Sequence, residues 1–82
     1  MTQEQAFTEV VGILSPYAKN KAALAQIGPT TDILKDLQVN SARLVDIILG
    51  IEDAFDIEVG DEEADEVVTV GDAVALIVKK HS

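Results

Sequence analysis

Ser41 is the one residue in this chain placed for covalent chemistry of its own, as a hydroxyl at the start of a helical run with Asn40 before it. A helix N-terminus presents free N–H groups and the positive end of the macrodipole. A phosphodiester attached to a hydroxyl there is stabilised by both. Serine is also among the preferred N-caps, so spacing alone leaves two readings open, a cap and an attachment point. No catalytic constellation competes with it. The chain has one histidine, His81, next to its C-terminus, and no cysteine. A nucleophile–base pair and a thiolate or histidine-rich metal site are therefore excluded. The acids at 61, 62, 63, 65 and 66 lack the alternating ligands and fixed glycine of a calcium loop. They read as a solvated face, with no metal site.

The elements that must position Ser41 follow from apolar spacing. Residues 44, 45, 47, 48, 51 and 55 are apolar and form one stripe on a helix running from Asn40-Ser41 to near Phe55. Its other side carries Asp46, Glu52, Asp53 and Asp56, with Arg43 as the only base. Gly50 inside it costs about 1 kcal/mol against alanine, which points to a close approach by another element. Before it, Ala6, Phe7, Val10, Val11 and Leu14 mark a first helix capped by Thr2. Ser15-Pro16 stops that helix and opens a short helical piece with Ser15 as its cap. Gly28-Pro29 is a break. The link of about 25 residues to the central helix is long, and Ile27, Ile33, Leu34 and Leu37 are its expected anchors. Beyond Asp56 an extended connector leads to a short helix over 61–67 capped by Asp61. Thr69 then caps a final helix, Val70 to Lys79, with Val70, Ala73, Val74 and Ile77 inward and Lys79 and Lys80 at its negative end. The expected fold is all-α: a small four-helix bundle with three main helices, a short third helix and a long loop after the first.

Length and composition agree with this. The 82 residues make one domain, 1–82. Apolar residues are 48% of the chain and aromatics 4%, so aliphatic helix packing must build the core. The net charge of −9 argues against a nucleic-acid backbone or an anionic membrane surface as partner and favours basic protein surfaces. No apolar run approaches the ~20 residues of a membrane span, and the polar N-terminus has no signal-peptide pattern. A cytoplasmic monomer is expected.

The stretch from Asp36 to Val59, DLQVNSARLVDIILGIEDAFDIEV, resembles the acyl carrier protein family. That family has Asp-Leu shortly before an Asp-Ser-Leu, then a helix ending in acids, phenylalanine and an Ile-x-Ile-like segment. The likeness continues through Asp61-Glu62-Glu63-Ala64 and Thr69-Val70-Gly71-Asp72-Ala73-Val74 and covers roughly Thr30 to Ile77. It implies that Ser41 receives 4′-phosphopantetheine from coenzyme A through a phosphopantetheinyl transferase. The arm's thiol then holds acyl groups as thioesters for partner enzymes of fatty-acid, lipid or related acyl metabolism. The chain itself would be no enzyme. Asp46, Glu52, Asp53 and Asp56 would meet basic docking patches on those enzymes, and Asn40, Ala42 and Arg43 beside the serine would complete the docking surface. Leu37, Val45, Ile48, Ile51, Phe55, Val59, Ala64, Ala73 and Ile77 would line an acyl cavity, although plain bundle core explains the same residues. A peptidyl or aminoacyl carrier and an unmodified interaction domain are the alternatives.

Four positions depart from the family pattern. Asn40 stands for Asp, Ala42 for leucine, Arg43 for a commonly acidic residue and Gly60 for proline. Three of them flank Ser41, which implies a specialised carrier with dedicated partners.

Overall fold

The computed structural model describes residues 2–81. Three long helices build the frame: α1 (Gln3–Leu14), α3 (Leu44–Phe55) and α5 (Val70–His81). Two short ones, α2 (Lys21–Leu24) and α4 (Asp61–Asp65), lie in the connections, and a 3-10 turn over Ser41–Arg43 leads into α3. Among the described residues the only extended pairing is an isolated antiparallel bridge between Asp32 and Thr69. The all-α expectation holds, with three main helices and a short one ahead of the last.

Helix α1 starts where a capping box requires it. Thr2 Oγ1 accepts the Gln5 N–H at 3.1 Å, and Gln5 Oε1 accepts the Thr2 N–H at 3.0 Å. Ala6, Val10 and Leu14 form its buried face. Helix α1 packs most extensively on α5, and α3 closes the bundle against both. Gly50 of α3 faces Ile13 of α1, where an added Cβ would stand 3.3 Å from Ile13 Cγ2. That is the close approach the glycine implied.

Ser15 does not cap a second helix. Its hydroxyl donates to the Val11 carbonyl at 2.7 Å, finishing α1. Asn20 caps α2 instead, accepting the Ala23 N–H at 3.3 Å, while its amide donates to the Asp36 carbonyl at 3.0 Å. A side chain with both donor and acceptor can cap a helix and tie down a loop together; a serine next to a proline turn finds its nearest acceptor one turn back.

The long loop is held by its own side chains and by the bundle. Asp32 and Asp36 close a helical turn through the Lys35 and Asp32 N–H groups, at 2.7 and 2.8 Å. Ile33 donates to the Val68 carbonyl, and Val70 and Gly71 donate to the Thr31 and Pro29 carbonyls. Ile33 and Leu37 are buried and Ile27 is half-buried, but Leu34 is exposed and anchors nothing. It points outward because the 32–37 turn has room for one inward face only.

Helix α4 differs from expectation in its cap. The cap position is Gly60, not Asp61, and Glu63 Oε1 reaches back to accept the Gly60 N–H at 3.1 Å. The same oxygen accepts from Lys80 Nζ at 2.7 Å, which ties α4 to the end of α5. At α5, Thr69 and Asp72 cap each other's N–H groups, at 3.1 and 3.0 Å. That helix runs on to His81, past the expected end at Lys79.

Candidate functional site

The site begins at the 3-10 turn. The Asn40 side-chain oxygen accepts the Ala42 N–H at 2.9 Å, and the Asn40 carbonyl accepts the Arg43 N–H at 2.8 Å. Asn40 is thus the cap. Ser41 is exposed, and among the described residues its hydroxyl has no hydrogen-bond partner. Of the two roles open to this serine, the capping one is taken by its neighbour.

Ser41 stands at the edge of a groove of about 400 Å³ between α3 and α4. Leu44, Val45, Ile48 and Leu49 form the α3 wall, Val59 and Ala64 the other, and Glu52, Asp61 and Asp65 add carboxylates. Four of the nine residues expected to line an acyl cavity, Val45, Ile48, Val59 and Ala64, therefore meet here. The other five do not. Leu37, Ile51, Phe55, Ala73 and Ile77 lie in the bundle core, each at most 4% exposed, and pack with α1 residues such as Val10 and Leu14. The helical stripe has two edges: positions 51 and 55 turn toward α1 and α5, while 45, 48, 49 and 52 turn toward α4.

Leu49 was not foreseen. It is 54% exposed and Val45 is 65% exposed. One turn apart, they make an apolar step on an otherwise acidic face. The signal was present in the sequence: Leu49 is apolar but off the core stripe.

The expected docking residues divide as well. Asp46, Leu49 and Asp53 share the solvent face of α3, with Ala42 in the turn before it and Asp56 just past its end. Asp56 ends α3 in the left-handed region, at φ 53°, a conformation aspartate tolerates better than most residues. Glu52 is half-buried and accepts the Val59 N–H at 3.1 Å, so it braces the connector that forms the second groove wall. Arg43 pairs with Asp46 at 3.2 Å, with both side chains largely exposed.

Two carboxylates near α4 are more acidic than usual. The Lys80 ammonium, then the Gly60 N–H, lowers the Glu63 pKa. The Thr69 N–H, then that of Val68, lowers Asp72. Both stay ionised and hold helix starts in place. Among the described residues no group of acids or histidine is gathered to hold a metal ion, and no helix is long and apolar enough to cross a membrane.

An α-helical bundle that leaves one hydroxyl unengaged at the mouth of an apolar, acid-rimmed groove is a scaffold for carrying a group. The comparisons agree. The family described as phosphopantetheine attachment site matches residues 18–77. An acyl carrier protein of Helicobacter pylori (strain J99) is 42% identical over 53 residues, spanning 65% of this chain and 68% of that protein. The solved acyl carrier protein from Enterococcus faecalis superposes with a TM-score of 0.80 at 32% identity, covering 98% of this chain and 99% of its own. This chain belongs to the phosphopantetheine-attachment family of acyl carrier proteins. The group such a domain carries is a covalent 4′-phosphopantetheine, and the role is that of a carrier in acyl metabolism.

Proposed function

We propose that Ser41 is the residue that carries the arm. The supporting observation is that Asn40 provides the cap and leaves the exposed Ser41 hydroxyl without a partner among the described residues. The Ser41 oxygen would join the arm's phosphate as the P–O–P bridge of coenzyme A breaks, with 3′-phosphoadenosine 5′-phosphate leaving and the hydroxyl proton passing to a base of the separate transferase that catalyses the step. The residues present fit the group. The phosphodiester would sit at the positive end of the 41–55 helical run, and the groove beside it is open and apolar. When attached, the arm supplies the thiol that this cysteine-free chain lacks. Val45, Ile48, Leu49, Val59 and Ala64 shield the first part of an acyl chain from water. Asp53 and Asp56 meet basic surfaces on the enzymes that load and unload it. The chain catalyses nothing itself; the separate transferase activates the Ser41 hydroxyl. It works as a cytoplasmic monomer of one domain.

Intact mass after incubation with coenzyme A and a phosphopantetheinyl transferase tests this. The wild type gains one arm and Ser41→Ala gains none. The reading fails if no transferase, including that of the native host, modifies the wild type, or if Ser41→Ala is modified equally.

A further inference from the structure

Arg43 is the only base between Lys35 and Lys79. It stands two residues after Ser41 in the same turn, 64% exposed, with its guanidinium 3.2 Å from the Asp46 carboxylate. From Leu44 to Val78 there are eleven acids and no base. Charge along the exposed face of α3 is therefore graded. Beside Ser41 it sums to zero, because the acid closest to the serine on that face is already paired. Asp53 and Asp56 follow on the same face with no base beyond Arg43, and Asp61 and Asp65 stand across the groove.

We infer that the enzymes acting at Ser41 carry an acidic side chain beside the mouth of their active-site channel, and that Arg43 selects them. This rests on Ser41 being the attachment residue. Arg43 shares the 3-10 turn of Ser41 and is exposed, so an enzyme that brings its reacting atoms to Ser41 Oγ comes within reach of the long arginine side chain. A partner with a base at that point meets the guanidinium head-on, and Asp46 attracts it little because its charge is compensated. A partner with a carboxylate there takes Arg43 from Asp46, since an exposed i,i+3 pair is weakly held. The released Asp46, with Asp53, then faces bases set farther from the channel. The fitting surface is bipolar: acidic at the mouth and basic about one helical turn or more away. Like charges brought together at an interface reject wrong partners more strongly than matched ones reward right ones.

The test is steady-state modification of the full-length apo-protein with coenzyme A as co-substrate. It compares the native host's transferase with a broad-range transferase whose docking surface is basic. With the broad-range enzyme, Arg43→Ala lowers KM about tenfold and Asp46→Asn raises it about as much, as expected for rim charges that steer encounter. With the host enzyme, Arg43→Ala raises KM about tenfold, while Asp46→Asn changes it by no more than about twofold, because the lost contact with the farther bases is offset by freeing Arg43 for the partner's carboxylate. In each case kcat stays within about twofold, and added salt shrinks the differences. A merely structural pair would move both variants in the same direction. The inference is overturned if the two variants shift KM alike with the broad-range enzyme, or if Arg43→Ala leaves KM with the host enzyme unchanged. If neither enzyme modifies the wild type, the reading of Ser41 itself falls, and this one with it.

Discussion

The Asn40 side chain caps the helix at the Ala42 N–H, 2.9 Å away, and so frees the serine between them. Asn40→Ala should cost about 0.5–2 kcal/mol, the usual loss of an N-cap, read from urea midpoints. Ser41→Ala should stay within about 0.5 kcal/mol, as for an exposed side chain without partners. Asn40→Asp keeps the cap and adds a negative charge at the helix start. It should preserve stability and speed modification by a broad-range transferase. An unchanged rate would show that the missing charge is not what sets this site apart.

Groove and core residues should separate by stability. Val45→Ala, at an exposed position, should change the urea midpoint little but weaken protection of a bound acyl chain, seen as faster thioester hydrolysis. Ile51→Ala and Phe55→Ala remove buried volume and should cost about 2–5 kcal/mol each. If Ile51→Ala proved silent in stability, its place in the core would be refuted.

The glycines of α3 and α5 should respond unequally to alanine. At Gly71 a Cβ would lie 2.7 Å from the Pro29 carbonyl oxygen, an atom fixed by its hydrogen bond from the Gly71 N–H at 2.9 Å. Gly71→Ala should destabilise by about 1–3 kcal/mol. At Gly50 the neighbour is a side-chain methyl of Ile13 at 3.3 Å, which can give way. The gain in helix propensity of about 1 kcal/mol offsets that shift, so Gly50→Ala should be near neutral. Thermal melts of the two variants compare them directly.

Acid should loosen α4 first. The folded Glu63 pKa lies below its ordinary value of 4.5, so the unfolded chain binds the proton more readily. Its contribution is present above that value and is lost as pH falls through the lower, folded one. Asp72, lowered from 3.8, behaves the same way in a more acidic window. Glu63→Gln should therefore show a smaller drop in urea midpoint than wild type between neutral pH and pH below 4.5. An equal drop would mean that the Lys80 and Gly60 contacts do not persist in solution.

Much of this protein was legible because its determinants are local. The caps at Thr2 and Thr69 and the 3.6-residue stripes each rest on a few neighbouring residues, so a one-dimensional reading finds them, though not the answering bonds from Gln5 and Asp72. Ser41 was singled out on the same ground. Misreadings occurred where neighbouring residues competed for the same cap. Ser15 turned back to Val11, Asn20 took the cap of α2, and Gly60, held by Glu63, stood at the cap of α4 in place of Asp61. Competing acceptors of similar quality are decided by geometry that spacing does not contain.

The sequence by itself determined the helices, their inward faces and a hydroxyl at the start of the central one, because periodicity and capping act within one or two turns. Tertiary structure alone decided which edge of the apolar stripe opens to a groove. Phe55 and Val45 look alike along the chain, but α1 and α5 cover one while only the short α4 stands beside the other. It also decided that Leu37, Ala73 and Ile77 pack in the core and away from the groove. Each outcome depends on which surfaces and donors the packed helices leave over.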